Sequence, residues 1–88
     1  MVKRGKLEIY KDILQIIQSH SKIKTTPLLR KSNLSSVRFQ EYYQEMIKKK
    51  MVLETKTDEG RFVHLGENGK LFLEKYKTIV NFIEEFDL

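Results

Sequence analysis

The side chains in this sequence that could carry out covalent chemistry are few and scattered. His20 and His64 are the only histidines, and cysteine is absent. Neither histidine forms part of a Cys or carboxylate set with metal-ligand spacing, and there is no Gly-rich phosphate loop, nucleophile elbow or His-Glu-x-x-His run. No catalytic residue, metal or cofactor is therefore expected, and both histidines read as surface or packing residues. The chemistry that the residue types do support is recognition through hydrogen bonds. Ser35, Ser36, Arg38, Gln40, Gln44 and Lys48 follow one another over a short stretch, with Lys31 ahead of them and Lys56 and Arg61 behind. Arg can bond guanine bidentately and Gln can do so with adenine, while Ser and Lys suit phosphate oxygens. That set fits the surface of double-stranded DNA.

Charge points the same way. The net charge is +5, but residues 1–66 hold 14 basic and 7 acidic groups, while residues 67–88 hold 3 and 5. A basic body with a mildly acidic tail suits a polyanion. A composition of 40% hydrophobic and 33% charged residues with one Pro is that of a folded chain rather than a disordered one. Its 88 residues amount to one domain that buries about 60–65% of the surface its unfolded chain exposes. So small a core hardly encloses a pocket of roughly 300 Å³, and no small-molecule ligand is expected. No apolar run approaches a membrane-spanning length, and the basic start (Lys3, Arg4, Lys6) leads into an amphipathic segment rather than a signal-peptide core. The expected location is cytoplasmic, beside the nucleoid.

The elements that must position these residues follow from periodicity. Ile9, Tyr10, Ile13, Leu14, Ile16 and Ile17 recur near the 3.6 period and predict a helix over 6–20. Lys22-Ile23-Lys24 alternates as a short edge strand would. Thr26-Pro27 reads as N-cap and first helical position of a short helix ending near Lys31, with Leu28 and Leu29 as its apolar face. Ser32-Asn33-Leu34-Ser35 is a turn by composition. A third helix runs from a Ser35 or Ser36 cap to about Lys50, with Phe39, Tyr42, Tyr43, Met46 and Ile47 forming one inward stripe. Val37, Arg38, Gln40, Glu41, Gln44, Glu45 and Lys48 occupy its outer face. Residues 51–57 and 61–65 are strand candidates around an Asp58-Glu59-Gly60 turn, a hairpin able to lie along a minor groove with Lys56 and Arg61 near phosphates. Residues 67–86 form a final helix, in which Gly69 is a local cost of up to about 1 kcal/mol.

That last helix has more apolar surface than one core requires. Phe72, Tyr76, Ile79, Ile83 and Phe86 step by 4, 3, 4 and 3, the spacing of a coiled-coil seam, and Val80, Leu71, Leu73 and Phe82 flank it. Such an arc marks an interface. Phe72, Tyr76, Ile79, Val80, Ile83 and Phe86 are the expected contacts of a homodimer.

The order helix, helix, turn, helix, hairpin, helix is that of a winged helix-turn-helix followed by a long C-terminal helix, mainly α with a small β-hairpin. Residues 1–66 form the winged part and residues 67–88 the dimerisation helix of one unit. Particular residues strengthen this. Asn33-Leu34-Ser35 with Phe39, Tyr42, Tyr43, Met46 and Met51-Val52-Leu53 resembles the recognition-helix region of small archaeal winged-helix regulators. Leu65-Gly66-Glu67-Asn68-Gly69-Lys70 with Phe72-Leu73 resembles that family's L-T-E-K-G-x-x-F-L start of the last helix, and Lys6-Leu7-Glu8-Ile9-Tyr10 with Asp12-Ile13-Leu14 also matches. The resemblance spans nearly the whole chain and implies DNA binding, with dimerisation through a C-terminal antiparallel coiled coil. Two positions depart from the pattern. Lys50 stands where the family usually has Gly, which leaves the helix-to-strand turn open, and Gly66 replaces the usual capping Thr.

The expectation is thus a homodimeric binder of double-stranded DNA, a transcriptional regulator or an architectural chromatin protein. Glu41, Glu45, Asp58 and Glu59 on the same surface keep a second reading open: a winged helix that binds protein within a larger assembly and not DNA.

Overall fold

The computed structural model of the protein describes residues 4–88; of the basic start, Lys3 lies outside the described residues. Helix α1 (Lys6–His20) is followed by strand β1 (Ile23–Lys24), helices α2 (Thr25–Ser32) and α3 (Ser36–Lys48), strands β2 (Val52–Thr57) and β3 (Gly60–Leu65), and helix α4 (Glu67–Glu85). The strands form one antiparallel sheet in the order β1-β3-β2. This is a winged helix-turn-helix with a long C-terminal helix, as the element order predicts.

Helix α1 is the axis of the core. Its buried residues Ile9, Tyr10, Ile13, Leu14 and Ile17 lie on the stripe that the 3.6 period draws. Leu28 of α2, Phe39, Tyr43 and Met46 of α3, and Val52 and Val63 of the sheet close around them. Strand β1 exists because Ile23, itself buried, pairs with Val63. That pairing moves the start of α2. The N-cap is Lys24 and not Thr26, so Pro27 is the third helical residue rather than the first. Proline is still tolerated there, since none of the first four helical N–H groups has an intrahelical partner. The hairpin turn is the pair Asp58-Glu59, with Gly60 already paired to Thr57 at a φ of 125° that only glycine adopts readily.

Helix α3 ends at Lys48, two residues before the expected Lys50. Lys50 N–H donates to the Ile47 carbonyl and Met51 N–H to the Met46 carbonyl, and Lys50 has φ 59°. This nested pair with a left-handed residue is the Schellman motif, and buried Met46 and Met51 supply its apolar contact. The family's glycine position therefore keeps its left-handed backbone while carrying a side chain. Lys50→Gly is expected to raise stability by about 1 kcal/mol, seen as a higher denaturation midpoint, and Lys50→Ala should leave it unchanged. Equal midpoints for the two variants would contradict this account.

Candidate nucleic-acid interface

Three polar anchors hold α3 in place. The hydroxyl of Tyr43, whose ring stacks on Phe39 at 5.4 Å, donates to Glu54 of β2 at 2.8 Å and so ties α3 to the hairpin. Burial, and then the bond to Glu54, push that phenol's pKa up. At the other end the Tyr10 hydroxyl donates to Glu45, and Lys6 and Lys49 close on the same carboxylate at 2.6 Å and 3.0 Å. The turn between α2 and α3 is clamped by Arg4. Its guanidinium pairs with Asp12 at 2.9 Å and donates to the Ser32 carbonyl at 3.1 Å. Asn33 makes the turn at φ 60°, a conformation asparagine tolerates.

Glu45 thereby leaves the outer face on which helical spacing placed it. It is half-buried between α1 and α3, and its charge is matched. Hydrogen bonds from Lys6, Tyr10 and Lys49 hold its carboxyl at about 2 rather than the ordinary 4.5. A carboxyl depressed on folding stabilises the native state above its unfolded pKa, and that contribution is lost as pH falls through the folded value. The urea midpoint of the wild type is therefore expected to fall between about pH 4.5 and 2 more steeply than that of Glu45→Gln. Parallel pH profiles would refute the pairing.

What remains outward on α3 is a row. With Phe39, Tyr43 and Met46 buried, Val37, Glu41, Gln44 and Lys48 line the opposite side, all exposed. Ser36, Gln40 and Arg38 flank them, also exposed. Ser35 caps the helix through a bond from Arg38 N–H at 3.3 Å. The Arg38 guanidinium leans sideways, donating to the Tyr42 hydroxyl at 3.0 Å with its centre 5.7 Å from that ring. Lys31 is exposed at the end of α2.

The hairpin presents its basic pair toward α3. Lys56 and Arg61 are register partners, as are Glu54 and Val63. Directly opposed residues share a face, and the pleat repeats that face every second residue. Lys56 and Arg61 thus lie on the side that carries buried Val63 and the Tyr43–Glu54 bond. Arg61 is only loosely held, 3.9 Å from Glu54. On the reverse face Lys22 and Lys24 set their ammonium groups 4.7 Å and 5.5 Å from the Phe62 ring. These two lysines, Arg4 and Val37 were not among the expected site residues. Arg4 has no sequence signal, because its partners lie up to 29 residues away; Lys22 and Lys24 flank Ile23 in the alternation that marks β1.

Both histidines sit as packing or surface residues. His20 Nδ1 lies 2.8 Å from the Ile16 carbonyl and His64 Nε2 3.0 Å from Thr55 Oγ1. Among the described residues no three metal-ligating side chains converge, and no helix is long and apolar enough to cross a membrane.

The winged helix-turn-helix family model matches residues 3–84. The chain belongs to that family. Among solved structures it is similar to Sso10a-2, a DNA-binding protein from Sulfolobus solfataricus, with a TM-score of 0.74 and 22% identity over 94% of this chain and 85% of that one. It is also similar to F-93 of SSV1, with a TM-score of 0.68 and 23% identity over 89% of this chain and 91% of that one. No curated protein matches it. In the terms of the family, α2 and α3 are the helix-turn-helix and β2–β3 is the wing.

The helix that follows the winged part divides in two. Phe72 packs 5.9 Å from Tyr10 and 6.0 Å from Tyr76, and Lys11 lies 5.9 Å from the Tyr76 ring. The first half of the expected seam thus rests on α1 of its own chain. An open groove of about 810 Å³ between the two helices, lined by Lys11, Gln15, Leu73, Tyr76, Lys77 and Val80 among others, runs beside it. Beyond half-buried Val80 every residue is exposed, and Ile79 (58% exposed), Phe82, Ile83 and Phe86 (59%) form an uncovered apolar stripe.

Proposed function

We propose that this protein binds double-stranded DNA as a homodimer, with α3 in the major groove and the β2–β3 wing along the adjoining backbone, and acts as a transcriptional regulator or architectural chromatin protein. The observation that carries the reading is the exposed outward face of α3, together with exposed Lys31 at the end of α2 and Lys56 and Arg61 paired on the hairpin face that bonds α3 through Tyr43 and Glu54. Ser35, Ser36, Lys31, Lys48, Lys56 and Arg61 are the phosphate contacts, and Arg38, Gln40 and Gln44 the groups within reach of bases. The likeness to a protein described as DNA-binding supports it. The dimer is supported by the apolar stripe through Ile79, Val80, Ile83 and Phe86, with Phe72 and Tyr76 continuing the seam onto the body of the domain. Withdrawing Glu45 into its contacts with Lys6, Tyr10 and Lys49 leaves Glu41, Asp58 and Glu59 as the acids facing the ligand, which favours DNA over a protein partner.

Fluorescence anisotropy on mixed-sequence duplexes across a salt series tests this. A dimer that neutralises about 6–8 phosphates gives a log–log slope of roughly −5 to −7. Lys48→Ala or Arg61→Ala should flatten the slope by about one unit for each phosphate no longer neutralised and weaken all sequences alike. Binding that stays unmeasurable at low salt hands the fold to the protein-interaction reading.

A further inference from the structure

The outermost row of α3 is poorly suited to coating a polyanion. Val37 is apolar and 68% exposed. Glu41, one turn on, makes no salt bridge among the described residues, whereas Glu45 has two cations and a phenol. A sequence-neutral phosphate surface gains from each added Lys or Arg and loses from an unpaired carboxylate. The same two side chains suit the floor of the major groove, where thymine offers a methyl group to an apolar partner and cytosine an amino group to a carboxylate. Gln44 follows on the same face, suited to adenine, and Lys48 ends the row. Val37 and Glu41 are about 6 Å apart along the helix axis, close to two base steps of about 3.4 Å each.

We infer that Val37 and Glu41 are specificity-determining residues: the protein reads base sequence, with Val37 against a thymine methyl and Glu41 accepting from a cytosine amino group in each half-site. The inference rests on the DNA-binding reading and removes its architectural branch. Both side chains are solvent-exposed and absent from the core, so substitution leaves the fold intact, as circular dichroism checks.

The test begins with selection of duplexes from a random-sequence pool by the wild-type protein. A recurring site containing thymine and a C·G pair is expected. Replacing the critical thymine with deoxyuridine removes only the methyl group. That change should weaken the wild type about fourfold per half-site and leave Val37→Ala indifferent. Glu41→Gln should lose about tenfold discrimination at the C·G pair while binding mixed-sequence DNA more tightly, because repulsion from phosphates is gone. Salt-dependent binding without a recurring site overturns the inference and leaves DNA binding standing. A recurring site insensitive to deoxyuridine and to Glu41→Gln overturns the assignment to these two residues. Absence of any duplex binding at low salt overturns the parent reading itself.

Discussion

Replacing Ile79 and Ile83 together by lysine is expected to convert a dimer into a folded monomer and to lower duplex affinity by about a hundredfold or more, because the second half-site contact is then no longer intramolecular. Both residues lie on the uncovered half of α4, and neither belongs to the core. Four ammonium groups facing one another across the symmetric pair cannot be buried unpaired. The monomer's own packing of Phe72 and Leu73 against the core is untouched, so helicity should persist while the denaturation midpoint loses its dependence on protein concentration. Sedimentation at tens of micromolar decides the matter. A wild-type protein that already sediments as a monomer removes the dimer from the reading and leaves the apolar stripe for another partner.

Gly69→Ala carries the largest expected effect on stability. In an ordinary helix interior this substitution stabilises by about 1 kcal/mol. Here a Cβ on Gly69 would stand 2.2 Å from the Met51 carbonyl oxygen and 3.3 Å from Leu14 Cδ2, so either the backbone of the α3–β2 turn or the start of α4 has to move. Overpacking of that kind costs about 3 kcal/mol, a large part of what so small a domain possesses, and should lower Tm by about 15 °C. Lys75→Ala, exposed on the same helix, should change stability by no more than about 0.5 kcal/mol. A Gly69→Ala variant as stable as the wild type would mean that α4 is not seated against the turn in this way. Gly66 sits in the same seam, its Cβ position 2.3 Å from the Lys50 carbonyl oxygen, so the departure from the family's capping threonine reflects a close approach rather than a weakened cap. Asn68 adds a bond to the Lys49 carbonyl at 2.8 Å.

Local order determined most of the architecture. The period of Ile9, Ile13, Leu14 and Ile17, the cap at Ser35 and the Asn33 turn are local signals, and the alternation around Ile23 marks β1 although its pairing partner Val63 is distant in sequence. Helix α1 ends where its spacing places it, and β1 forms where Lys22-Ile23-Lys24 alternates. The inward stripe of α3 was equally legible, because helical spacing alone decides which residues share a face. What helical spacing cannot decide is which outward residue meets another element. Glu45 and Glu41 are equivalent acids on one helix. Tertiary packing brings Tyr10 and Lys6 of α1 to Glu45 and leaves Glu41 without an ion pair among the described residues, which changes the electrostatics of the exposed face of α3. The same holds for Gly69, a helix-weakening residue by propensity and a required one by proximity to Met51. It holds as well for α4, whose single apolar seam is divided between its own domain and an open surface. Each of these outcomes is set by groups distant in sequence. Close packing and charge pairing act over a few ångströms in space, and only the fold determines which residues come that near.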